Sequence, residues 1–376
     1  MQGLTLIGSG WHPTLFRAEV KALTGPIEVM HPRVLYIPLT ESTLPRLSRA
    51  ALLDDVLSLS ARYWVYSETS QEDLSRTIAE WAQLNLPEGS FAVRARKLGT
   101  GISGFSSSEI ESEVGALVMR DSNPVDLHEP ENEISVVIAG PDDGPTHRDD
   151  IGQNSPIVVW GLRQPGWQRD SYAGRAPTDR PFFQPVSLDP RQAKLMISLA
   201  HRRLSETKTV VDPFCGTGGI AIEAALQGIE VLASDLDSRM VEGTLENLEW
   251  VGTSANVEIC GASDIASLWG SKSNCCFVFD PPYGRSSWKS GDGAELFLEA
   301  LSAAHDIDPS GSICTMLPTG PEALDSFPGQ DVEVLGMPWS ELEGQIRGCG
   351  WEPVLSVPIK VHRSLARMVV VCHPAD

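Results

Sequence analysis

VVDPFCGTGGIAIEAAL, residues 210–226, decides the fold of the second half of the chain. An apolar run ends at Asp212, a glycine-rich turn follows through Gly216, Gly218 and Gly219, and IAIEAAL continues without a breaker. That order reads as strand, tight turn and helix. Glycines let a backbone approach a ligand closely, and the first turn of a helix presents unpaired N–H groups. The spacing is G-x-G-G, not the G-x-G-x-x-G of dinucleotide folds, and no Lys-Ser/Thr pair marks a nucleotide phosphate loop. The turn therefore suits a ligand without a pyrophosphate, or else it is an ordinary connection between a strand and a helix. The residues around it decide between the two.

Outward from this stretch, short apolar runs recur: TKTVVD (207–212), EVLASD (230–235), ANVEICG (255–261), NCCFVFD (274–280) and GSICTML (311–317). Four of them precede a helical or turn-rich segment, which predicts a parallel, doubly wound sheet. VSLDPRQAKLMISLAHRRL ahead of them reads as a helix. VPIKVHRSLARMVVVC (357–372) reads as two strands around a tight connection, so an antiparallel hairpin finishes the sheet. Asp235 ends the second strand, where an acid is placed to take both hydroxyls of a ribose. Asp237 reads as the N-cap of a helix over 238–250. Asp264, after the third strand, is either the acceptor for an adenine amino group or a solvated acid.

FVFDPPYGR (277–285) closes the fourth strand with Asp280-Pro281-Pro282-Tyr283. Two prolines lock the backbone and remove N–H donors, so nearby carbonyls stand as fixed acceptors. With the Asp280 carboxylate and the Tyr283 ring they suit a planar base bearing an exocyclic amine. Taken without the glycine turn, the same four residues read as a rigid bend.

The first half differs in character. LTLIGS (4–9) and RVLYIPL read as strands, and PTLFRAEVKALTG (13–25) as an amphipathic helix ending at Gly25. SFAVRARKLG (90–99) alternates apolar and basic residues and predicts a strand with one basic face. A helix near 107–119 and a strand at 134–140 follow, an α+β mixture in place of a βαβ series. GPDDGPTHRDD (140–150) reads as a solvated loop. The seven cysteines all lie after residue 214 and form no C-x-x-C pair, so a disulfide framework or zinc knuckle is not expected, and no metal is predicted. Cys215 has no acid or histidine beside it in sequence to make it a nucleophile.

The chain has 376 residues, which at about 150 per domain suggests two or three domains. With 41% apolar residues, disorder over most of its length is excluded. The longest apolar runs, such as CCFVF and MVVVC, fall far short of the roughly 18 residues of a membrane span. The start lacks a basic stretch followed by an apolar one, so cytoplasmic residence without a membrane is expected. Lys plus Arg number 29 against 50 Asp plus Glu, a net charge of −21 that opposes the usual signature of a nucleic-acid binder. The charge is uneven, however. Residues 105–155 carry twelve acids and two arginines, whereas 161–208 carry nine basic residues and four acids. Such a chain can still present a basic stripe.

DPFCGTGG together with DPPYGR resembles the class I S-adenosylmethionine-dependent amino-methyltransferases. More closely, RPFFQPVSLDPRQAKLM, DPFCGTGGIAIEAA, ASDLDSRMVEGTLENL, DPPYGRSS and VHRSLAR are similar to the archaeal tRNA (guanine(10)-N2)-dimethyltransferases, relatives of the catalytic subunit of the eukaryotic guanosine-10 enzyme. A THUMP domain precedes the catalytic domain in that family, and FAVRARKLG with PVDLHEPENEISVVI resembles one. HPTLFRAEVKALTG resembles the family's N-terminal segment. Gln184 stands where the family's R-P-F-F-H-P has histidine, residues 140–160 match poorly, and the chain is more acidic than the pattern. The resemblance implies an α/β fold: a class I, Rossmann-like methyltransferase domain behind an N-terminal α+β, THUMP-containing region. The expected divisions are a ferredoxin-like α+β subdomain over 1–64, THUMP over 65–160, a linker over 161–185 and the methyltransferase domain over 186–376.

It also implies roles. Pro181, Phe182 and Phe183 bound the S-adenosylmethionine pocket, with Asp212 and Phe214 in the same set. Gly216 and Gly218 line the methionine end, Asp235 the ribose and Asp264 the adenine. Asp280, Pro281, Pro282 and Tyr283 receive a flipped guanine, and tRNA is the partner, with no obligatory protein partner. Arg94, Arg96, Lys97, Arg163, Arg169, Arg175 and Arg180 either contact RNA phosphates or pair with the abundant acids. Trp167 and Trp288 either stack on bases or pack, and Arg363 and Arg367 either contact RNA or lie on the surface. Methylation of guanosine 6 of tRNA or of rRNA, a DNA adenine or cytosine amino-methyltransferase, and a non-catalytic RNA-binding scaffold are the competing readings.

Overall fold

The computed structural model describes residues 3–9, 11–142, 154–168, 172–185, 187–201, 208–282, 292–326, 330–362 and 365–375. By internal contacts the chain divides into two units, one of residues 1–47 and 52–170 and one of residues 48–51 and 171–376.

The first unit runs β1 (Gly3–Gly8), α1 (Pro13–Thr24), β2 (Glu28–His31), β3 (Val34–Pro38), α2 (Thr43–Leu47), β4 (Leu53–Trp64), α3 (Gln71–Asn85), β5 (Phe91–Leu98), α4 (Ser107–Val118), β6 (Asn132–Ala139) and β7 (Ile157–Arg163). Its single sheet has the order β2-β3-β1-β4-β7-β6-β5. β4 is the shared strand, pairing antiparallel with β1 on one side and β7 on the other. The boundary expected at residue 64 thus falls at the end of a strand common to both halves of one sheet. Residues 161–163, assigned above to a linker, continue β7, because IVVWGLR keeps its pairing with β6 and β4. β5 and β6 run parallel through the α4 crossover, so one βαβ unit sits inside an otherwise antiparallel sheet.

Local signals explain where helices begin and end. The His12 ring accepts from the Leu15 amide ahead of Pro13, and α1 stops at Gly25, whose φ of 87° a side chain would resist. Ser70 and Ser106 cap α3 and α4 in the same manner. Leu74, Ile78 and Ala82 of α3 and Ile110, Val114 and Val118 of α4 then pack on Val93, Ile134, Val136 and Trp160 of the sheet.

The second unit contains α5 (Pro190–Leu199), β8 (Thr209–Asp212), α6 (Gly219–Leu226), β9 (Glu230–Asp235), α7 (Ser238–Trp250), β10 (Asn256–Ile259), α8 (Ile265–Trp269), β11 (Cys275–Phe279), α9 (Asp292–Ile307), β12 (Ser312–Thr319), β13 (Glu333–Val334), β14 (Met337–Pro338), α10 (Trp339–Gly348), β15 (Trp351–His362) and β16 (Leu365–Pro374). β10, β9, β8, β11 and β12 form a parallel run in that order. β16 then pairs antiparallel with β12 and with β15, which is the doubly wound sheet and terminal hairpin read from the sequence. The short β13–β14 hairpin, turning through Leu335 and Gly336 at positive φ, had no clear alternation to announce it. α5 is shorter than the 186–204 segment suggested, because Asp189 caps it, Pro190 fixes its first turn and the described helix ends at Leu199. The core packs Phe277, Phe279, Phe297, Trp351 and Met368 between the sheet and α9–α10.

Burial biases two histidines toward the neutral form. His201 Nδ1 lies 2.7 Å from the Ile197 carbonyl and its Nε2 3.3 Å from Arg49, which assigns a donor to the first and an acceptor to the second. His31 Nε2 contacts the Gly140 carbonyl while Nδ1 accepts from the Arg33 amide. Burial lowers both rings below the ordinary histidine value of 6.5, with nearby arginines pushing the same way. The unfolded chain therefore takes up these protons first. Stability is complete above the unfolded value and is lost as pH falls toward the lower folded values. The urea midpoint should drop between about pH 7.5 and about pH 5.5, and His201→Gln should flatten that drop.

Candidate active site

Ligands of doubly wound sheets bind at the carboxyl ends of the strands, and three aspartates stand there: Asp212 ends β8, Asp235 ends β9 and Asp280 follows β11. Parallel register aligns them, with Asp212 opposite Ala233 and Val211 opposite Phe277. Backbone amides anchor Asp235. Its Oδ2 accepts from the Gly216 amide and its Oδ1 from the Asp237 amide, each at 3.0 Å. Gly216 has φ of 52°, and a Cβ built on it would meet nothing nearer than the Phe214 carbonyl oxygen at 3.9 Å, so the turn leaves open space above it. Gly218, at φ of 79°, has no such room: a Cβ there would lie 2.9 Å from the Thr244 methyl.

The helix behind the turn holds it in place. Asp237 caps α7, accepting from the Arg239 amide. Thr244 Oγ1 donates to the Gly216 carbonyl at 2.9 Å, and Asn247 Nδ2 donates to the carbonyls of Thr217 and Phe182 at 2.9 and 2.8 Å. Asn247 Oδ1 accepts from the Phe182 amide at 3.0 Å. One buried amide thereby ties the segment around Phe182 to the glycine turn. Gly243 makes room for this, since a Cβ there would sit 2.1 Å from the Phe182 ring. Asn247 and Gly243 were not singled out from sequence. The available signal was small and polar residues at 243, 244 and 247, positions that α7 buries. Of the neighbours of Phe182, Pro181 is exposed and Phe183 is 42% exposed.

Arg180 is a correction. It is 5% exposed, donating to Thr217 Oγ1 and to the Leu188 carbonyl, so its guanidinium supports the turn and is not presented to RNA. Burial lowers its pKa, with Glu223 and Asp189 opposing. Among the other basic candidates, Arg96 pairs with Asp54, Arg163 with Asp55 and Glu133, and Arg175 with the buried Glu223. Arg94 donates to the Leu127 carbonyl, and Lys97 is exposed. Pairing with acids is thus the arrangement for Arg96, Arg163 and Arg175. Trp167 donates from its indole to the Asp54 carbonyl. Arg169, Tyr283, Trp288 and Arg363 lie outside the described residues.

The acids differ in environment. Asp212 is fully buried, and desolvation pushes its carboxyl well above the ordinary range; the Phe214 amide opposes, while Asp235 and Asp280 add to the rise. That shift favours the protonated, uncharged acid. Burial also pushes the Cys215 thiol up, which matches its reading as a bystander. Phe214 leans on Phe279 at a ring separation of 5.7 Å and closes the floor between β8 and β11. Asp264 is exposed, with its carboxylate 3.6 Å from where a Gly261 Cβ would lie and the 78% exposed Leu236 beside the same point. Asp280 Oδ2 accepts from Arg367 Nη1 at 2.9 Å, although sequence reading left Arg367 between RNA contact and surface. No group of three or more His, Cys, Asp or Glu among the described residues is arranged to hold a metal.

Removing the Asn247 side chain strands two carbonyls and an amide. Asn247→Ala should cost about 1–3 kcal/mol in urea unfolding and weaken S-adenosylmethionine binding in a calorimetric titration. Gly243→Ala should weaken that binding through Phe182 alone.

This arrangement has counterparts in known proteins. Residues 177–345 match the RMKL-like methyltransferase domain model, and residues 68–140 match the THUMP domain model. The crystal structure of TrmN from Thermus thermophilus shares the fold over 100% of both chains, with a TM-score of 0.53 at 21% identity. A tRNA (guanine(10)-N2)-dimethyltransferase of Methanothermobacter thermautotrophicus is 32% identical over 276 residues, 73% of each chain. Its counterpart from Pyrococcus abyssi is 29% identical over 70% of this chain and 73% of its own. With the glycine turn, the three strand-end acids and a THUMP match ahead of them, the chain belongs to the tRNA (guanine(10)-N2)-dimethyltransferase family.

Proposed function

We propose that this protein transfers methyl groups from S-adenosylmethionine to the 2-amino nitrogen of guanosine 10 in tRNA, forming N2-methyl- and then N2,N2-dimethylguanosine. The observation that carries this reading is the placement of Asp280-Pro281-Pro282 on the strand edge that also holds Asp212 and Asp235. The named relatives support the choice of base, atom and position.

The residues at that edge suit the cofactor. The open space over Gly216 admits a chain of atoms that any side chain would block. Asp235, with one lone pair on each oxygen engaged by an amide, keeps acceptors for two ribose hydroxyls. Leu236 offers an apolar face and Asp264 an acceptor for an adenine ring and its amine. Phe182, seated by Asn247, bounds the pocket from the other side. When bound, the cofactor supplies a methyl group on a positively charged sulfur, which an acid-lined edge accommodates.

A guanine 2-amino group is a poor nucleophile because its lone pair is delocalised into the ring. Asp280 and the Pro281 carbonyl accept its hydrogens and turn the lone pair toward the methyl group. As positive charge grows on nitrogen, the Asp280 carboxylate stabilises it, and the proton leaves to water. Tyr283 is assigned to stack on the base. A paired guanine must leave its stem to reach this point, at a cost of a few kcal/mol. Arg94, Arg96 and Lys97 on β5, with Arg163, are proposed to hold tRNA phosphates, Arg96 and Arg163 by exchanging acid partners for phosphate.

Incubation with labelled S-adenosylmethionine and unmodified tRNA transcript should yield N2-methylated guanosine at position 10 by nucleoside mass analysis. Asp280→Ala should abolish it while leaving cofactor binding intact. Methylation at another position would keep the chemistry and move the substrate assignment; cofactor binding without methylation would favour the scaffold reading. Lys97→Ala should weaken tRNA binding evenly across sequences and lower the slope of log affinity against log salt by about one.

A further inference from the structure

Arg367 lies on β16, opposite Pro318 of β12, and reaches across β12 to the end of β11. There its Nη1 donates to Asp280 Oδ2 at 2.9 Å, with the two side chains only 11% and 14% exposed. An ion pair this dry is not a surface contact. Partly buried charges lose solvation, and geometry good enough to compensate holds both groups still. The flanking β16 residues Ala366, Met368, Val369 and Val370 are packed in the sheet, so the cation stands in an otherwise apolar stretch.

The reaction imposes a condition that this pair meets. An acceptor that steers an amine lone pair works only if its own plane is fixed, because misplacement by about 1 Å costs on the order of 100-fold in rate. Asp280 sits just past the end of a strand, followed by Pro281, which has no N–H with which to tie the loop back. Asp212 and Asp235, the acids at the ends of the neighbouring strands, offer the Asp280 carboxylate no counter-charge. Arg367 supplies a counter-charged restraint from a neighbouring strand. It also competes with the base for the carboxylate's charge, so Asp280 serves as an oriented hydrogen-bond acceptor from which the proton passes on to water.

Resting on the proposed methyl transfer, we infer that Arg367 is the positioning residue for Asp280: it grips Oδ2 from across β12 and thereby sets the direction in which the carboxylate receives the exocyclic amine of the target base. The test is a double-mutant cycle with Arg367→Met, Arg367→Lys, Asp280→Asn and the double variant Asp280→Asn/Arg367→Met. Single-turnover methylation of tRNA transcript is measured at saturating S-adenosylmethionine and tRNA, and the two dissociation constants are measured separately. Arg367→Met should slow transfer by roughly 10- to 100-fold while both dissociation constants change less than about twofold. Arg367→Lys should recover part of the rate, and the double variant should be no slower than Asp280→Asn, because a residue acting through Asp280 has nothing left to position. A wild-type rate in Arg367→Met overturns the inference. So do losses that multiply in the double variant, or a loss confined to tRNA affinity, which would make Arg367 an RNA contact. The Lys variant keeps the charge should the Met variant fold poorly. A methylated nucleoside other than N2-methylguanosine in the wild type overturns only the proposed substrate, and the same cycle is then read on that product. No methylation at all overturns both.

Discussion

Three carboxyl groups at the ends of neighbouring parallel strands repel one another, and the second unit is organised around containing that repulsion. Each acid is handled differently. Asp212, fully buried, is pushed toward its uncharged form by desolvation and by its two neighbours. Asp235 stays half-buried and is braced by two backbone amides, a device that stabilises a carboxylate without introducing a counter-charge into the pocket. Asp280 is matched with Arg367. The three solutions leave one acid pushed toward its uncharged form, one amide-braced carboxyl and one ion-paired carboxyl within a single edge. That graded set matches the proposed site, in which a cationic cofactor is gripped at one point and an amine at another.

Keeping the amides aimed at Asp235 depends on the glycine turn, and the turn in turn depends on α7. Thr244 and Asn247 take up the carbonyls of Gly216 and Thr217, groups that a strand-to-helix corner leaves without ladder partners. Arg180 serves the other flank through Thr217 and Leu188. Buried polar groups of this sort are costly unless fully satisfied, which accounts for an arginine and an asparagine in places where an apolar side chain would leave the turn's backbone groups unpaired.

What could be read in advance follows the range of the interactions. Strand ends, the glycine turn, the Asp237 cap and the Asp280-Pro281-Pro282 bend are local, and a few consecutive residues announce each of them. Asn247 meets Phe182 across 65 residues and Arg367 meets Asp280 across 87, so no spacing in the chain advertises either pair. Arg180 misled because a Pro- and Gly-rich segment looks like surface, whereas its partners are a backbone carbonyl and a hydroxyl. In the first unit, β4 was masked by Asp54 and Asp55, which belong to a strand only because Arg96 and Arg163 come from neighbouring elements to meet them. The acidity of the chain is therefore partly structural: some of its acids are internal partners for arginines that would otherwise read as a basic stripe.

The terminal hairpin connects topology to chemistry. In the parallel part of the sheet every strand arrives at the ligand edge with its carboxyl end, so acids and turns gather there and long side chains project from loops. β16 runs the other way, and it brings its first residues alongside the end of β12. Arg367, near the start of β16, is nevertheless paired on both sides, to β12 and to β15. From that position two strand spacings, about 10 Å, separate Arg367 from β11, a gap that the long arginine side chain and the shorter aspartate close together. A cation mounted on a loop at the same distance would bring its own flexibility to the carboxylate. Placing it on the antiparallel strand lends Asp280 the rigidity of the sheet, and this is how the antiparallel hairpin reaches the carboxyl end of β11.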